Sequence, residues 1–249
     1  MSPVVALWRS KEEVRRYVWR VLKERGVAAP PFPIEGRIPN FKGAKEAAER
    51  LASTPEWMRA GTVKVNPDSP QRWVRMKALE EGKVLLMPTP RIRQGFLLLD
   101  PSKIPKDQYA KASTIRGAFK YGTRLNTIDK LLKLTKLDLI VEGSVAVDTE
   151  GRRVGKGEGY GDIEYGILSE LGLVDDTPIF TTVHDLQVLP PPLPQDPWDV
   201  PLNASFTPSK EIRFRGLKRP KGIIWELLNP KKLEEIPLLR ELKARTFNT

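Results

Sequence analysis

Short apolar runs alternate along this chain with longer stretches whose apolar residues recur at helical spacing. Ser10 and Glu13 stand at capping-box distance, and Val14, Val18, Val21 and Leu22 share one helical stripe that Gly26 ends. A second helix is predicted over 42–52, stopped by Ser53, Thr54 and Pro55. A third opens at Ser69 with Pro70 in its first position and runs to Gly82. Strands are predicted over 61–66, 83–87, 95–99, 137–141, 179–183 and 203–207, with 144–148 also extended. Short helices fit 113–121 and 127–134. A glycine loop over 155–161 leads into a helix over 162–171, and a last helix covers 231–245. Residues 190–201 hold six prolines in twelve positions, which favours an extended surface run. Strands alternating with helices predict βαβ units around a largely parallel sheet. The expected organisation is one α/β domain over 1–208 and a basic, helical C-terminal extension over 209–249 that packs on it.

Composition narrows the chemistry. The 249 residues are 40% hydrophobic and 29% charged, a globular balance. The absence of cysteine excludes disulfides, thiolate metal sites and cysteine nucleophiles, and the single histidine, His184, excludes a multi-histidine metal site. No apolar run approaches the ~18 residues of a membrane span. The apolar stretch 4–8 is too short and wrongly flanked for a signal peptide, so the expected setting is cytoplasmic, with no membrane partner. The net charge is +11, and residues 209–249 carry eleven basic and five acidic side chains of that balance. An anionic ligand is the natural partner. The face formed by Leu233, Ile236, Leu239 and Leu242 predicts that the extension docks while its charges stay solvated.

Four candidate segments carry chemistry. Gly155, Gly157, Gly159 and Gly161 alternate ahead of a helix start, so their backbone can approach an anion, with Arg152, Arg153 and Lys156 supplying charge. A flexible loop is the competing reading. The segment is neither a Walker loop nor a dinucleotide fingerprint. Lys11 and Arg15, four apart on the first helix, form either a phosphate-binding pair or a solvated basic face. His184 beside Asp185 is either an acid–base pair or a structural hydrogen-bonder. Arg91 and Arg93 leave a strand end, where open α/β sheets bind ligands, or are plain surface charges.

Together these segments resemble the 5-formyltetrahydrofolate cyclo-ligase (methenyltetrahydrofolate synthetase) family. Its signature, Asp-x-x-Gly-x-Arg-Leu-Gly-x-Gly-x-Gly-Tyr-Tyr-Asp, is matched at Asp148, Gly151, Arg153, Gly155, Gly157, Gly159, Tyr160 and Asp162. The family's Lys-x-x-x-Arg corresponds to Lys11 and Arg15, and its closing motif to Asp199, Pro201 and Thr207. Gly161 replaces the second tyrosine, Asn203 an aspartate, and Glu158 a glycine or lysine. The variants Gly-Lys-Gly-Glu-Gly-Tyr-x-Asp-x-Glu-Tyr over 155–165, Val-Lys-Val-Asn-Pro-Asp over 63–68 and Val-His-Asp-x-Gln-Val over 183–188 resemble a divergent branch, the methenyltetrahydrofolate synthetase domain-containing proteins.

The resemblance implies a three-layer α/β/α sandwich and the ATP- and magnesium-dependent closure of 5-formyltetrahydrofolate to 5,10-methenyltetrahydrofolate. It implies ATP binding by Lys11, Arg15, Gly155, Gly157, Gly159 and Gly161, and catalytic roles for Arg153, Lys156 and Tyr160. It places Arg91, Glu142 and His184 toward a folate-like substrate, and Asp162 and Glu158 toward magnesium. The alternatives are a non-catalytic nucleotide- or RNA-binding paralogue and an ATP-dependent enzyme acting on a non-folate substrate such as a thiamine precursor. Nucleic acid is the disfavoured partner, since no aromatic-rich RNA-recognition motif is present. Monomer and dimer both remain open.

Overall fold

The structure, a computed structural model, describes residues 7–247. Its largest sheet has eight strands in the spatial order Glu211–Arg213, Ala204–Phe206, Ile179–Thr182, Leu139–Glu142, Thr62–Val65, Val84–Pro88, Phe96–Leu99 and Thr123–Leu125. The five from Ala204–Phe206 to Val84–Pro88 run parallel, and antiparallel strands finish both edges.

Parallel strands need crossovers that cover both faces of the sheet, so their residues are apolar at successive positions. Val63, Val65, Leu85, Met87, Leu139 and Val141 enter one core, with the helices Ala44–Ala52 and Arg72–Glu80 packed over it. Leu86, Ile140 and Ile179 enter the core on the other face, under the helices Tyr160–Glu170 and Pro237–Phe247. The result is a three-layer α/β/α sandwich.

The first helix, Lys11–Glu24, packs elsewhere. The Ser10 hydroxyl accepts the Glu13 amide at 3.1 Å and starts it. Val14, Val18, Trp19 and Leu22 are buried against a small sheet of Val188–Leu189, Ala146–Asp148 and Arg153–Val154. Each buried Val or Leu contributes roughly 1.5–3 kcal/mol, and that packing fixes the direction in which Lys11 and Arg15 project.

Several local expectations are corrected. A short helix, Pro55–Arg59, forms where the sequence suggested only a stop, because the Thr54 hydroxyl accepts the Trp57 amide and Pro55 occupies the first turn. The helix expected from Asp162 begins at Tyr160. The one expected over 231–245 is two, Pro230–Glu235 and Pro237–Phe247, because Pro237 has no N–H to continue the ladder. The proline-rich run 190–201 is irregular but not wholly superficial, since Leu193 and Val200 are buried.

Beyond residue 208 the chain first adds the edge strand Glu211–Arg213, and later buries Ile236, Leu238, Leu239 and Leu242. Among the described residues no helix is long and apolar enough to cross a membrane. Positions 4–6 of the apolar stretch noted above lie outside the described residues.

Candidate functional site

The carboxyl ends of three neighbouring parallel strands open into one cleft of about 1330 Å³. Residues 66–68 follow Thr62–Val65, residues 88–91 end and follow Val84–Pro88, and Gly143 follows Leu139–Glu142. This is where open α/β sheets take ligands. The glycine loop, the first turn of Tyr160–Glu170, Lys11 and Arg15 complete the lining around it.

The cations at the rim are already engaged. The Lys11 ammonium lies 2.6 Å from Asp196 and 2.5 Å from Asp199. Arg15 donates from Nε to the Gly155 carbonyl at 2.7 Å and meets Glu12 at 3.3 Å. Gly157 (φ 112°) is required here, since a Cβ would sit 3.3 Å from the Arg15 guanidinium carbon in a backbone region that favours glycine. Lys156 pairs with Glu158 at 3.3 Å, and Arg91 lies 3.9 Å from the same carboxylate. Arg91 (φ 55°) and Ile92 (φ 52°) are both left-handed, a strained turn stored at the cleft edge. Gly159 (φ 73°) caps Tyr160–Glu170 without a side-chain hydrogen bond, so the first-turn N–H groups have no side-chain acceptor.

Behind the glycine loop the charges are buried. Arg153 donates to Gly143 carbonyl and to Asp162, both at 3.1 Å, and Asp162 also accepts the Val200 amide at 3.0 Å. Burial pushes the Asp162 carboxyl up against the opposing pull of Arg153. Deeper still, the Lys64 ammonium lies 2.9 Å from Glu142, 2.6 Å from Glu164 and 3.1 Å from the Asn66 amide oxygen. The Lys64 side chain is 1% exposed and both glutamates are 5% exposed. Burial works against the ammonium, but the two carboxylates outweigh it and hold its pKa above the ordinary value. Burial raises Glu164 to about 7, with Lys64 opposing and Glu142 assisting. Glu142 goes the other way, since Lys64 and Arg153 overcome its burial. Gly161 belongs to this arrangement. A Cβ there would stand 3.0 Å from Glu142 Oε2, so the tyrosine of the family motif would press on this carboxylate.

The structure therefore brings Lys11, Arg15, Arg91, Arg153, Lys156, Glu158, Tyr160, Asp162 and the four loop glycines to one cleft. Glu142 and His184 are not among its lining residues. Glu142 sits behind the wall on Lys64. His184 caps a turn: its Nδ1 accepts the Leu186 amide at 3.0 Å, its own amide donates to Gln187, and its ring meets the edge of Phe41. Burial keeps its pKa low, so the imidazole is a neutral structural acceptor. The expected magnesium ligands are not assembled either, because Asp162 faces Arg153 while Glu158 faces Lys156 and Arg91. Among the described residues no group of three or more histidine or carboxylate side chains could hold a metal ion. This donor set does not fit a resident cation, and no chemical step is assigned to one.

The sequence motifs contain Lys64, Asp68 and Glu164 but give them no role in the site, and the part of the lining contributed by residues 222–232 has no motif at all. A lysine flanked by valines in a strand, and a carboxylate between Ile163 and Tyr165 on the apolar side of the helix after the glycine loop, are the available signals for Lys64 and Glu164.

The sequence profile of the 5-formyltetrahydrofolate cyclo-ligase family matches residues 8–208. The chain is 40% identical over 241 residues to the methenyltetrahydrofolate synthase domain-containing protein of Bos taurus, covering 94% of this chain and 62% of that one. The Homo sapiens protein of the same name is 38% identical over 243 residues, covering 95% and 62%. The chain thus spans roughly three-fifths of the length of these curated relatives. The NMR structure of Aquifex aeolicus 5,10-methenyltetrahydrofolate synthetase aligns with a TM-score of 0.50 and 21% identity, over 86% of this chain and 97% of that one. That likeness is one of fold.

Proposed function

Because the chain belongs to the 5-formyltetrahydrofolate cyclo-ligase family, we propose that it is a ligase that closes 5-formyltetrahydrofolate to 5,10-methenyltetrahydrofolate with consumption of ATP. The observation that carries this reading is the meeting, in one cleft, of Lys11 and Arg15 with the glycine loop and a helix N-terminus lacking a side-chain cap. Such an N-terminus favours phosphate through its N–H groups and its dipole.

The oxygen of an N-formyl group is a poor leaving group, and phosphorylation by ATP, with release of ADP, makes it a good one. The neighbouring ten-position nitrogen bonds to the formyl carbon, and the oxygen departs as phosphate. Phosphoryl transfer asks a protein for positioning and charge neutralisation more than for acid–base machinery. A cleft without histidine suits that demand. The loop and first-turn amides donate to phosphate oxygens. Lys11, Arg15 and Lys156 exchange their carboxylate and carbonyl partners for phosphate. Arg153, fixed between Gly143 and Asp162, sets the position of the loop above the substrate, and Tyr160 and Arg91 border the folate-like substrate.

Thermal unfolding with and without magnesium–ATP tests the site. At about a hundred times the Kd, ATP adds roughly 2.7 kcal/mol of stability, and the Lys11→Ala/Arg15→Ala double variant abolishes the gain. Near-ultraviolet absorbance of the methenyl product tests the reaction. A wild-type protein that neither gains stability with ATP nor forms product from 5-formyltetrahydrofolate ends this reading.

A further inference from the structure

The family profile stops at residue 208, but the lining of the cleft does not. Ile223, Ile224, Leu227 and Leu228, with Lys232 beyond them, form part of the same wall. Their chemistry is the reverse of the glycine-loop side. Leu227 is 50% exposed, and Trp198, from the proline-rich run, adds a ring that is 38% exposed. Concave apolar surface of this kind, bordered by a few charged groups, is the ordinary lining of a small-molecule site.

The wall is held firmly. The Gly222 amide donates to Ser169 Oγ and the Ile223 amide to Glu170 Oε1, both at 3.1 Å, at the C-terminal end of Tyr160–Glu170. Gly166 makes the docking possible, since a Cβ there would lie 2.4 Å from Ile223 Cδ1. Further along, the Lys232 ammonium lies 3.6 Å from the Tyr160 ring centroid, and the Tyr160 hydroxyl donates to Glu235 at 3.0 Å. Tyr160 opens the glycine-loop helix, so the apolar wall and the anion-taking loop meet at this one residue.

Charge and shape together define the occupant. A ligand filling the cleft presents a polar end to the glycine loop, a flat apolar body to Leu227 and Trp198, and a negative group within reach of Lys232 and Arg91. We propose that residues 222–232 are the specificity wall of this cleft, seating the planar aromatic body of the substrate with Lys232 placed for its carboxylate. This rests on the cyclo-ligase reading above and narrows it. The extension beyond the family-matched residues selects which formyl-bearing compounds enter.

Calorimetric titration of the full chain with 5-formyltetrahydrofolate, and separately with magnesium–ATP, tests the wall. Leu227→Asn changes a half-exposed position that folding tolerates, and it weakens the folate about tenfold while leaving ATP affinity unchanged. Leu227→Met restores near-wild-type affinity, and Lys232→Ala weakens the folate severalfold. Folate binding that is tight in wild type and indifferent to Leu227→Asn overturns the wall and spares the cyclo-ligase reading. Equal loss of both ligands in Leu227→Asn overturns the wall as well. A wild type that binds ATP but not 5-formyltetrahydrofolate overturns the reading and the occupant together.

Discussion

The rim and the floor of the cleft use the same side chains to opposite ends. At the rim, Lys156 and Glu158 pair with side chains 38% and 41% exposed, and Arg91 reaches the same carboxylate. Water screens such pairs, and each is worth only about 0–1 kcal/mol, so the phosphate proposed above would displace the carboxylate at little cost. On the floor, Lys64, Glu142 and Glu164 are sealed from solvent. There the partners cannot be exchanged, because a buried charge left alone is strongly unfavourable. Counting ion pairs does not separate Lys156 and Arg91 from Lys64, whereas exposure does.

The sharpest way to break this contrast is at Lys64. Lys64→Met leaves two buried carboxylates uncompensated and lowers stability by about 3–5 kcal/mol in urea unfolding, while Lys64→Met combined with Glu142→Leu and Glu164→Leu recovers most of the loss.

A smaller effect follows from pH. Burial pushes Glu164 up to about 7 in the fold from the ordinary 4.5, so between those values the native state holds a proton that the unfolded state has released. Its contribution is present below the unfolded pKa and lost as pH rises through 7. Glu142, held below its ordinary value, has the opposite sign and loses its contribution only as the solution is acidified. Urea midpoints taken from pH 4.5 to 8 measure the decline, and Glu164→Gln flattens it.

The least effect is expected at the rim. Glu158→Gln alters stability by no more than about 0.5 kcal/mol, yet it strengthens magnesium–ATP binding by unmasking Lys156 and Arg91, which a thermal-shift titration reads.

What could be read from the sequence follows the same division. The rim is built from local, regularly spaced residues: the cap at Ser10, the pair Lys11 and Arg15, and the glycines that alternate from Gly155. The floor is built from residues far apart in sequence whose neighbours disguise them. Lys64, between Val63 and Val65, has the pattern of a strand with one wet face, but helices cover both faces of the sheet and turn it inward. Glu142 was singled out from the resemblance as a substrate group, whereas its carboxylate is fixed behind the wall by Lys64. His184 beside Asp185 suggested acid–base chemistry because adjacency in sequence was all that was visible. In the fold, Asp185 is taken by the Thr207 hydroxyl at 2.7 Å and His184 by its own turn. The wall at residues 222–232 has no periodicity to betray it, being a turn and a short helix whose apolar side chains acquire a purpose only against the Tyr160–Glu170 helix.

The wall also governs when the cleft comes into being. Lys11 leaves the ribosome long before Lys232, and both border the same cavity. A nascent chain completed only to the sheet can bury most of its core, since domains fold as synthesis proceeds, but it has no finished cleft. Ligands stabilise only the state that binds them. A ligand that fills the cleft as proposed would therefore stabilise chains that carry Lys232 over chains that break off before it.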